Sequence, residues 1–539
     1  LYKQLNNSTV NPSAAHRSAG SRWRGDVPMT DRVVIGVDGG TTAVKAVAFD
    51  LTGAVVTLAH RKVPVHYGSH GEAAQDMNEI WEAVADCLQD VTAELGPHTE
   101  IIGVGLTGQG DGCWLVDETG EPIGMTPNWM DGRAAKRVAE WDRDGRAQAV
   151  LEATGTTTFP GLAPVLLEEL RETDPEAYGR ADRLLYCNDW LRFKLTGEKS
   201  TDYTNASRHF LDVRTTQGYS EELAERLGMP EALKLAPEIK TSDALGGKVT
   251  AAAAERTGLA EGTVVGMGMI DVSVTGVGLG AVNDGDGWLI LGTTGFVGAL
   301  LGSIDERKSE NSMVLATGRG TQVLEFLAPM TGTPNLDWIL TTLGLGDQPW
   351  SEVEKLALQA NPGSGGVVYL PYGSPGGERA PFLDTAASSS WMGMSVATTR
   401  AQILRSVYEG VAYALIECVE VLGLEGDLVV SGGGFRSDLV CQILADTTGH
   451  RVVRQDAPEA GARGAAVLAL LSAGEFTDLK DAAAALATDV SPFEPNIANK
   501  DVYAASHQVF VNARTAIRPV WPQMRELRAA TGSDIDEGN

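Results

Sequence analysis

The sequence predicts an α/β fold in two domains, and three observations carry that expectation. At 539 residues the chain is too long for one compact core. Both halves alternate short β-type runs with longer helical patterns. An apolar run, a Gly/Thr-rich turn and a second apolar run occur together twice, at 33–50 (VVIGVDGGTTAVKAVAFD) and at 288–300 (WLILGTTGFVGAL). Two copies of one hairpin, far apart in the chain, point to a duplicated domain.

The elements follow in order. After the first hairpin come a third strand at 51–64, a helix at 77–95 and a buried strand at 101–106. The run Thr107-Gly108-Gln109-Gly110-Asp111-Gly112 is a loop leading to a strand at 113–117 and a turn at 118–120. Trp129-Met130-Asp131-Gly132-Arg133-Ala134 opens a helix, and 134–230 reads as mainly helical, with Asp174-Pro175-Glu176 as a helix start. A buried strand at 264–269 ends in Ile270-Asp271. The second half has the repeated hairpin, a strand at 366–370, a Gly/Pro-rich loop at 371–379 and a long helix at 399–424. A short strand at 428–431, Gly432-Gly433-Gly434, a helix at 437–447 and an Ala-rich helix at 460–471 complete it.

The hairpins suit phosphate groups. Gly39 and Gly40 carry no side chain and can take φ > 0, so backbone N–H groups can approach an anion. Thr41 and Thr42 add hydroxyls, Lys45 lies just beyond, and Asp38 stands where it could hold Mg²⁺ directly or through water. Gly292, Thr293 and Thr294 repeat the arrangement, which suggests ATP between the halves. An ordinary tight hairpin is the competing reading of either segment taken alone.

Composition narrows the classes. A hydrophobic content of 43% with 21% charged residues is that of a folded, soluble protein. A net charge of −28 argues against nucleic acid or an anionic membrane as partner. Five cysteines without C-x-x-C spacing favour reduced thiols and a cytoplasmic location. No apolar run approaches the ~18 residues of a membrane helix. The polar segment 1–30 reads as a leader or tag, and the acidic end as a tail.

Taken together, these motifs resemble the FGGY carbohydrate kinases of the actin/hexokinase/Hsp70 superfamily, from about Asp31 to Arg518. The resemblance implies two actin-like (ribonuclease-H-like) domains flanking a catalytic cleft, a sugar-binding one at 31–283 and an ATP-binding one at 284–522, with a tail at 523–539. It implies ATP and Mg²⁺ as cofactors, a small sugar or polyol as partner, and a homodimer. The run 429–437 (VVSGGGFRS) is similar to the family's adenosine motif, with Gly433 and Gly434 against the nucleoside and Gln442 as a ring contact. Asp271, a carboxylate at the end of a buried strand, stands where the family has its catalytic aspartate. It also suits the N-cap of a helix starting at Val272, and both roles can hold at once. Sugar contacts are expected from Gln109, Asp111, Trp129, Asp131 and Arg133, because polyol hydroxyls need donors, acceptors and a flat apolar wall. Gln-Gly-Asp-Gly at 109–112 resembles the kinases of erythritol and of L-xylulose rather than the Gln-Met-His-Gly of D-xylulose kinases. That implies phosphorylation of a terminal hydroxyl, with erythritol first and L-xylulose second. A catalytically idle sugar or nucleotide sensor is the alternative of another class. In Gly377-Glu378-Arg379, the arginine either supports the ATP side or pairs with a carboxylate such as Glu378. The stretch 162–170 departs from the family signature and reads as packing.

Overall fold

The computed structural model describes residues 32–69, 71–216, 218–455 and 459–531. The expected leader at 1–30 and the last residues of the tail lie outside the described residues. The first sheet starts as an antiparallel meander of β1 (Arg32–Gly39), β2 (Ala43–Asp50) and β3 (Val55–Lys62). Helix α1 (Met77–Leu95) follows, its start fixed by Asp76, whose carboxylate accepts from the Asn78 N–H at 2.7 Å. Its end is set by Gly96 at φ 80°. The helix returns the chain to β4 (Glu100–Gly108), parallel to β1. β5 (Leu245–Lys248) and β6 (Val264–Gly266) extend the sheet to the order β5-β6-β4-β1-β2-β3. The strand expected at 264–269 is interrupted at Met267-Gly268, where Gly268 takes φ 81°, and resumes as β7 (Met269–Ile270) on the end of β4. β7 runs directly into helix α2 (Asp271–Gly278).

The second sheet repeats the plan. β8 (Gly287–Leu291) and β9 (Gly295–Leu301) form the hairpin, and β10 (Met313–Ala316) and β11 (Val323–Leu327) continue it antiparallel. Helix α3 (Arg400–Leu422) leads to β12 (Leu428–Ser431), parallel to β8. α3 is capped reciprocally by Thr399 and Gln402 and is buried along most of its length, as a helix between a sheet and a second helical layer must be. Helix α4 (Asp438–Thr448), β13 (Val452–Gln455) and β14 (Val490–Phe493) complete the order β10-β11-β9-β8-β12-β13-β14. In each sheet the first strand of the hairpin lies between its partner and a parallel strand that arrives through a helix.

Helix α5 (Ala460–Ser472) reaches across to the first sheet. Although it lies in sequence between β13 and β14 of the second sheet, it packs on the first, in one core with Val34, Val47, Phe49 and Ile102. The approach is backbone to backbone. A Cβ on Gly36 would lie 1.8 Å from the Ala462 carbonyl oxygen, and one on Gly105 1.8 Å from that of Ala465. Where α5 crosses α2, a Cβ on Gly278 or Gly464 would lie 2.0 Å from the carbonyl oxygen of Ala460 or Val274. A helix runs from Trp521 to Ala530, with Trp521 stacked on Phe382 in the second core and the following residues exposed. Residues 134–230 are mainly helical but include short strands at Arg183–Leu185 and Ser200–Asp202. The helix Ala163–Thr173 is a packing element, its buried Glu168 accepting from Trp141 Nε1 at 2.6 Å and pairing with Arg146 at 2.7 Å. All five cysteines are buried and free. Among the described residues no helix is long and apolar enough to cross a membrane.

Candidate active site

Strand register assembles the acidic centre. Asp38 on β1 lies opposite Thr107 of β4, and Thr107 lies opposite Met269 of β7. The Thr107 hydroxyl donates to the Met269 carbonyl at 2.8 Å and fixes that row. Two residues beyond Met269 the chain turns into α2, so Asp271 and Asp38 stand at the same end of the sheet. Ile270 is the N-cap of α2, and Asp271 is its first helical residue, with Oδ1 accepting from the Val272 N–H at 2.7 Å. Burial, then the charge of Asp38, pushes the Asp271 carboxyl up to about 7 against that hydrogen bond, with Asp111 adding to the rise. Burial likewise pushes Asp38 up to about 6, opposed by Lys45 and reinforced by Glu459.

Lys45 Nζ is paired with Glu459 Oε2 at 2.6 Å, which ties the first hairpin to the start of α5. Burial alone would lower the Lys45 pKa, but the hydrogen bond and charge of Glu459 hold it above the usual lysine value. Glu459 sits in the left-handed region at φ 62°, a costly place for a non-glycine residue.

The turn of the first hairpin differs from expectation. Neither Gly39 nor Gly40 takes positive φ. They are glycines because a Cβ would meet Cys187 Sγ at 2.9 Å or the Ala43 carbonyl oxygen at 2.8 Å. The Thr41 hydroxyl donates to Gln109 Oε1 at 3.1 Å and accepts from Trp129 Nε1 at 2.9 Å, so its proton is committed inside the protein. Thr42 is the exposed residue of the pair. Gln109 is buried, its Nε2 donating to Gln75 Oε1 at 2.7 Å, and through Thr41 it is linked to Trp129. Asp131 is also consumed internally. It takes Arg133 Nε and Nη2 at 2.8 Å each, and the Ala73 N–H at 2.9 Å. Both groups were expected on the sugar; each finds its partners in neighbouring loops.

Asp111 is different. It stands at φ 59°, its carbonyl accepts from Trp114 Nε1 at 3.1 Å, and Oδ1 takes Arg208 Nε at 2.6 Å. Arg208, 1% exposed, is a site residue that the sequence does not single out, because it sits in a locally polar run and its partner is distant in the chain.

On the second sheet, Thr293 is exposed at the tip of the β8–β9 turn, with Gly292 and Thr294 half-buried beside it. A Cβ on Gly433 would meet nothing within 4 Å, whereas one on Gly434 would strike Leu291 at 2.4 Å, so one glycine leaves an open surface and the other packs. Gln442 Nε2 donates to Asp446 Oδ1 at 2.6 Å and to the Glu494 carbonyl at 2.9 Å. Glu378 Oε1 collects the N–H groups of Met330, Arg379 and Ala380, at 2.6, 2.9 and 3.3 Å, and so fixes its own loop. Arg379 Nε donates to the Ala328 carbonyl at 2.9 Å, and burial lowers its pKa against the charges of Glu378 and Asp111.

Comparison with known proteins adds the decisive observation. Residues 33–278 match the FGGY family of carbohydrate kinases, N-terminal domain, and residues 287–473 match its C-terminal domain. The erythritol kinase of Brucella abortus is 31% identical over 91% of this chain and 98% of its own length. This chain belongs to the FGGY family of carbohydrate kinases. A probable L-xylulose kinase of Pasteurella multocida is 30% identical over 90% of this chain and 99% of its own. Among solved structures, a gluconate kinase from Lactobacillus acidophilus superposes with a TM-score of 0.84 over 92% of this chain and 99% of its own, at 23% identity. A xylulose kinase from Rhodospirillum rubrum superposes with 0.82 over 91% and 100%, at 25% identity. The fold of this FGGY kinase is therefore the two-domain actin-like one, and the chain is a phosphotransferase acting on a sugar or polyol.

The acidic centre of the kinase fits Mg²⁺. No hydrogen bond reaches the Asp38 carboxylate among the described residues. Nor do three His, Cys, Asp or Glu side chains gather there to form a cage. One or two carboxylates completed by water and phosphate oxygens is how proteins commonly hold this ion.

Proposed function

We propose that this kinase transfers the γ-phosphoryl group of Mg-ATP to a terminal hydroxyl of a short polyol, erythritol foremost, giving erythritol phosphate. Asp271 is the observation that carries the reading. Among the described residues its carboxylate is engaged only by the N–H of its own neighbour, and its ionisation lies near neutrality, where a general base works best. In this mechanism Asp271 takes the proton of the attacking hydroxyl, while the N-terminal end of α2 favours negative charge beside it. Asp111 accepts a substrate hydroxyl. Trp129 supplies the flat wall, held through its indole N–H by Thr41, with Gln109, Asp131 and Arg133 supporting that wall from behind. Gly40, Thr42, Lys45, Gly292, Thr293, Thr294, Gly433 and Gly434 would hold the nucleotide, and Asp38 the Mg²⁺, directly or through water. When bound, the ion neutralises phosphate charge, which phosphoryl transfer chiefly requires.

The Gln-Gly-Asp-Gly run and the similarity to erythritol kinase support the choice of substrate. The nearly equal similarity to an L-xylulose kinase supports L-xylulose as the second reading. We place the enzyme in the cytoplasm as a homodimer; its buried free thiols suit a reducing compartment. The test is ADP release with Mg-ATP across erythritol, the threitols, L- and D-xylulose, ribulose, xylitol and glycerol. Selective turnover of erythritol is expected. Selective turnover of L-xylulose would replace it with the second reading, and silence across the panel would overturn both.

A further inference from the structure

Arg208 is buried, yet its contacts run in two directions. Its Nε holds Asp111 Oδ1 at 2.6 Å, and its Nη1 donates to Thr156 Oγ1 at 3.2 Å. Its Nη2 is buried without a partner among the described residues, and the guanidinium lies 5.6 Å from the Phe159 ring. Thr156 belongs to the first half of the chain but bonds to the second. Its hydroxyl accepts from the Val314 N–H at 3.1 Å and donates to the Val314 carbonyl at 3.2 Å. One step along, Ser207 Oγ accepts from the Ala316 N–H at 2.9 Å. Val314 and Ala316 lie on β10, the edge strand of the second sheet, so side chains of the first domain satisfy that edge.

We propose that Arg208 is a positioning residue for substrate binding. It clamps Asp111 so that the remaining carboxylate oxygen is a fixed acceptor for a polyol hydroxyl, and Thr156 braces the clamp against β10. The inference rests on the reading of Asp111 as a substrate contact. The Asp111 backbone is pinned by Trp114, and one carboxylate oxygen by Arg208, so the other has one direction in which to accept. An ionised acceptor held this way favours hydroxyl donors without reorganising when substrate arrives. The brace explains why a guanidinium stands here. A lysine ammonium can match the charge but not the fork that reaches Asp111 and Thr156 together.

The test uses the full chain with whichever substrate the panel turns over. Arg208→Lys, Asp111→Asn and the double variant are compared by KM for the polyol, KM for ATP, kcat and melting temperature. Arg208→Lys is expected to raise the polyol KM by about tenfold or more, the usual effect of losing a charge-assisted hydrogen bond, with the ATP KM within about twofold. The double variant is expected to be no worse than Asp111→Asn alone, because Arg208 acts through Asp111. An unchanged polyol KM in Arg208→Lys overturns the proposal, and so do effects that multiply in the double variant. Equal losses in both KM values with a lowered melting temperature make Arg208 a packing residue and overturn it too. Should Arg208→Lys fail to fold, Thr156→Val removes the brace without removing the charge. A polyol-specific rise in KM supports the proposal, and no change overturns it. If Asp111→Asn itself leaves the polyol KM unchanged, the substrate reading of Asp111 falls; if only Arg208→Lys is silent, that reading stands and this inference falls.

Discussion

In the proposed mechanism Asp271 has to be ionised before the hydroxyl attacks, and its surroundings decide when that is. Burial and the Asp38 charge place its ionisation at about 7, above the ordinary carboxylate range. The base works only when deprotonated, so activity is full above that value and is lost as pH falls through it. We expect kcat/KM to show an acid limb near 7. The limb in kcat should lie at lower pH, because a cation at Asp38 cancels one of the charges that raise Asp271. Rate profiles between about pH 5 and 9 read both limbs, and an acid limb near the ordinary carboxylate value of about 4 would remove Asp271 as the titrating base. Asp271→Asn should lower kcat by about 10²- to 10⁴-fold while nucleotide affinity, measured by titration with ADP, stays close to that of the parent.

At the scale of elements, the crossing of α2 and α5 over the first sheet sets the acidic centre, because α2 begins with Asp271 and α5 begins just after Glu459, whose charge acts on Asp38. Gly36→Ala or Gly105→Ala pushes a methyl group into a carbonyl oxygen of α5. Each should cost about 1–3 kcal/mol or more and lower the melting temperature. Gly433→Ala, whose Cβ meets open space, should leave stability unchanged and act only on nucleotide binding. Differential scanning calorimetry separates the two classes, and equal melting points for all three variants would show that α5 can move off the sheet. Sequence made the local part of this architecture legible. The helix expected at 77–95 runs from Met77 to Leu95, because Asp76 and Gly96 write its ends within the chain itself. Asp38 and Asp271 were legible as carboxylates at strand ends. The pairing of Gln109 with Gln75 and of Arg208 with Asp111 was not, since these partners lie 34 and 97 residues apart and leave no local pattern. α5 was legible as an Ala-rich helix, but nothing in its sequence named the sheet it packs on.

For the whole molecule, a net charge of −28 acts on the two substrates unequally. A polyol is neutral, whereas the nucleotide is an anion and meets a repulsive field before it reaches the hairpins. Raising ionic strength from about 0.01 to 0.15 M shortens the screening length from about 30 to 8 Å. The association rate constant of Mg-ADP, measured by stopped flow, should therefore rise with salt, while the KM for polyol stays constant. A rate that falls with salt would mean that local cations such as Lys45 outweigh the global field. The five buried cysteines have a practical consequence at this scale. With no native thiol at the surface, one cysteine introduced on each lobe would be the only pair open to maleimide dyes. Energy transfer between them could then report the width of the cleft in the otherwise unmodified enzyme, turnover by turnover.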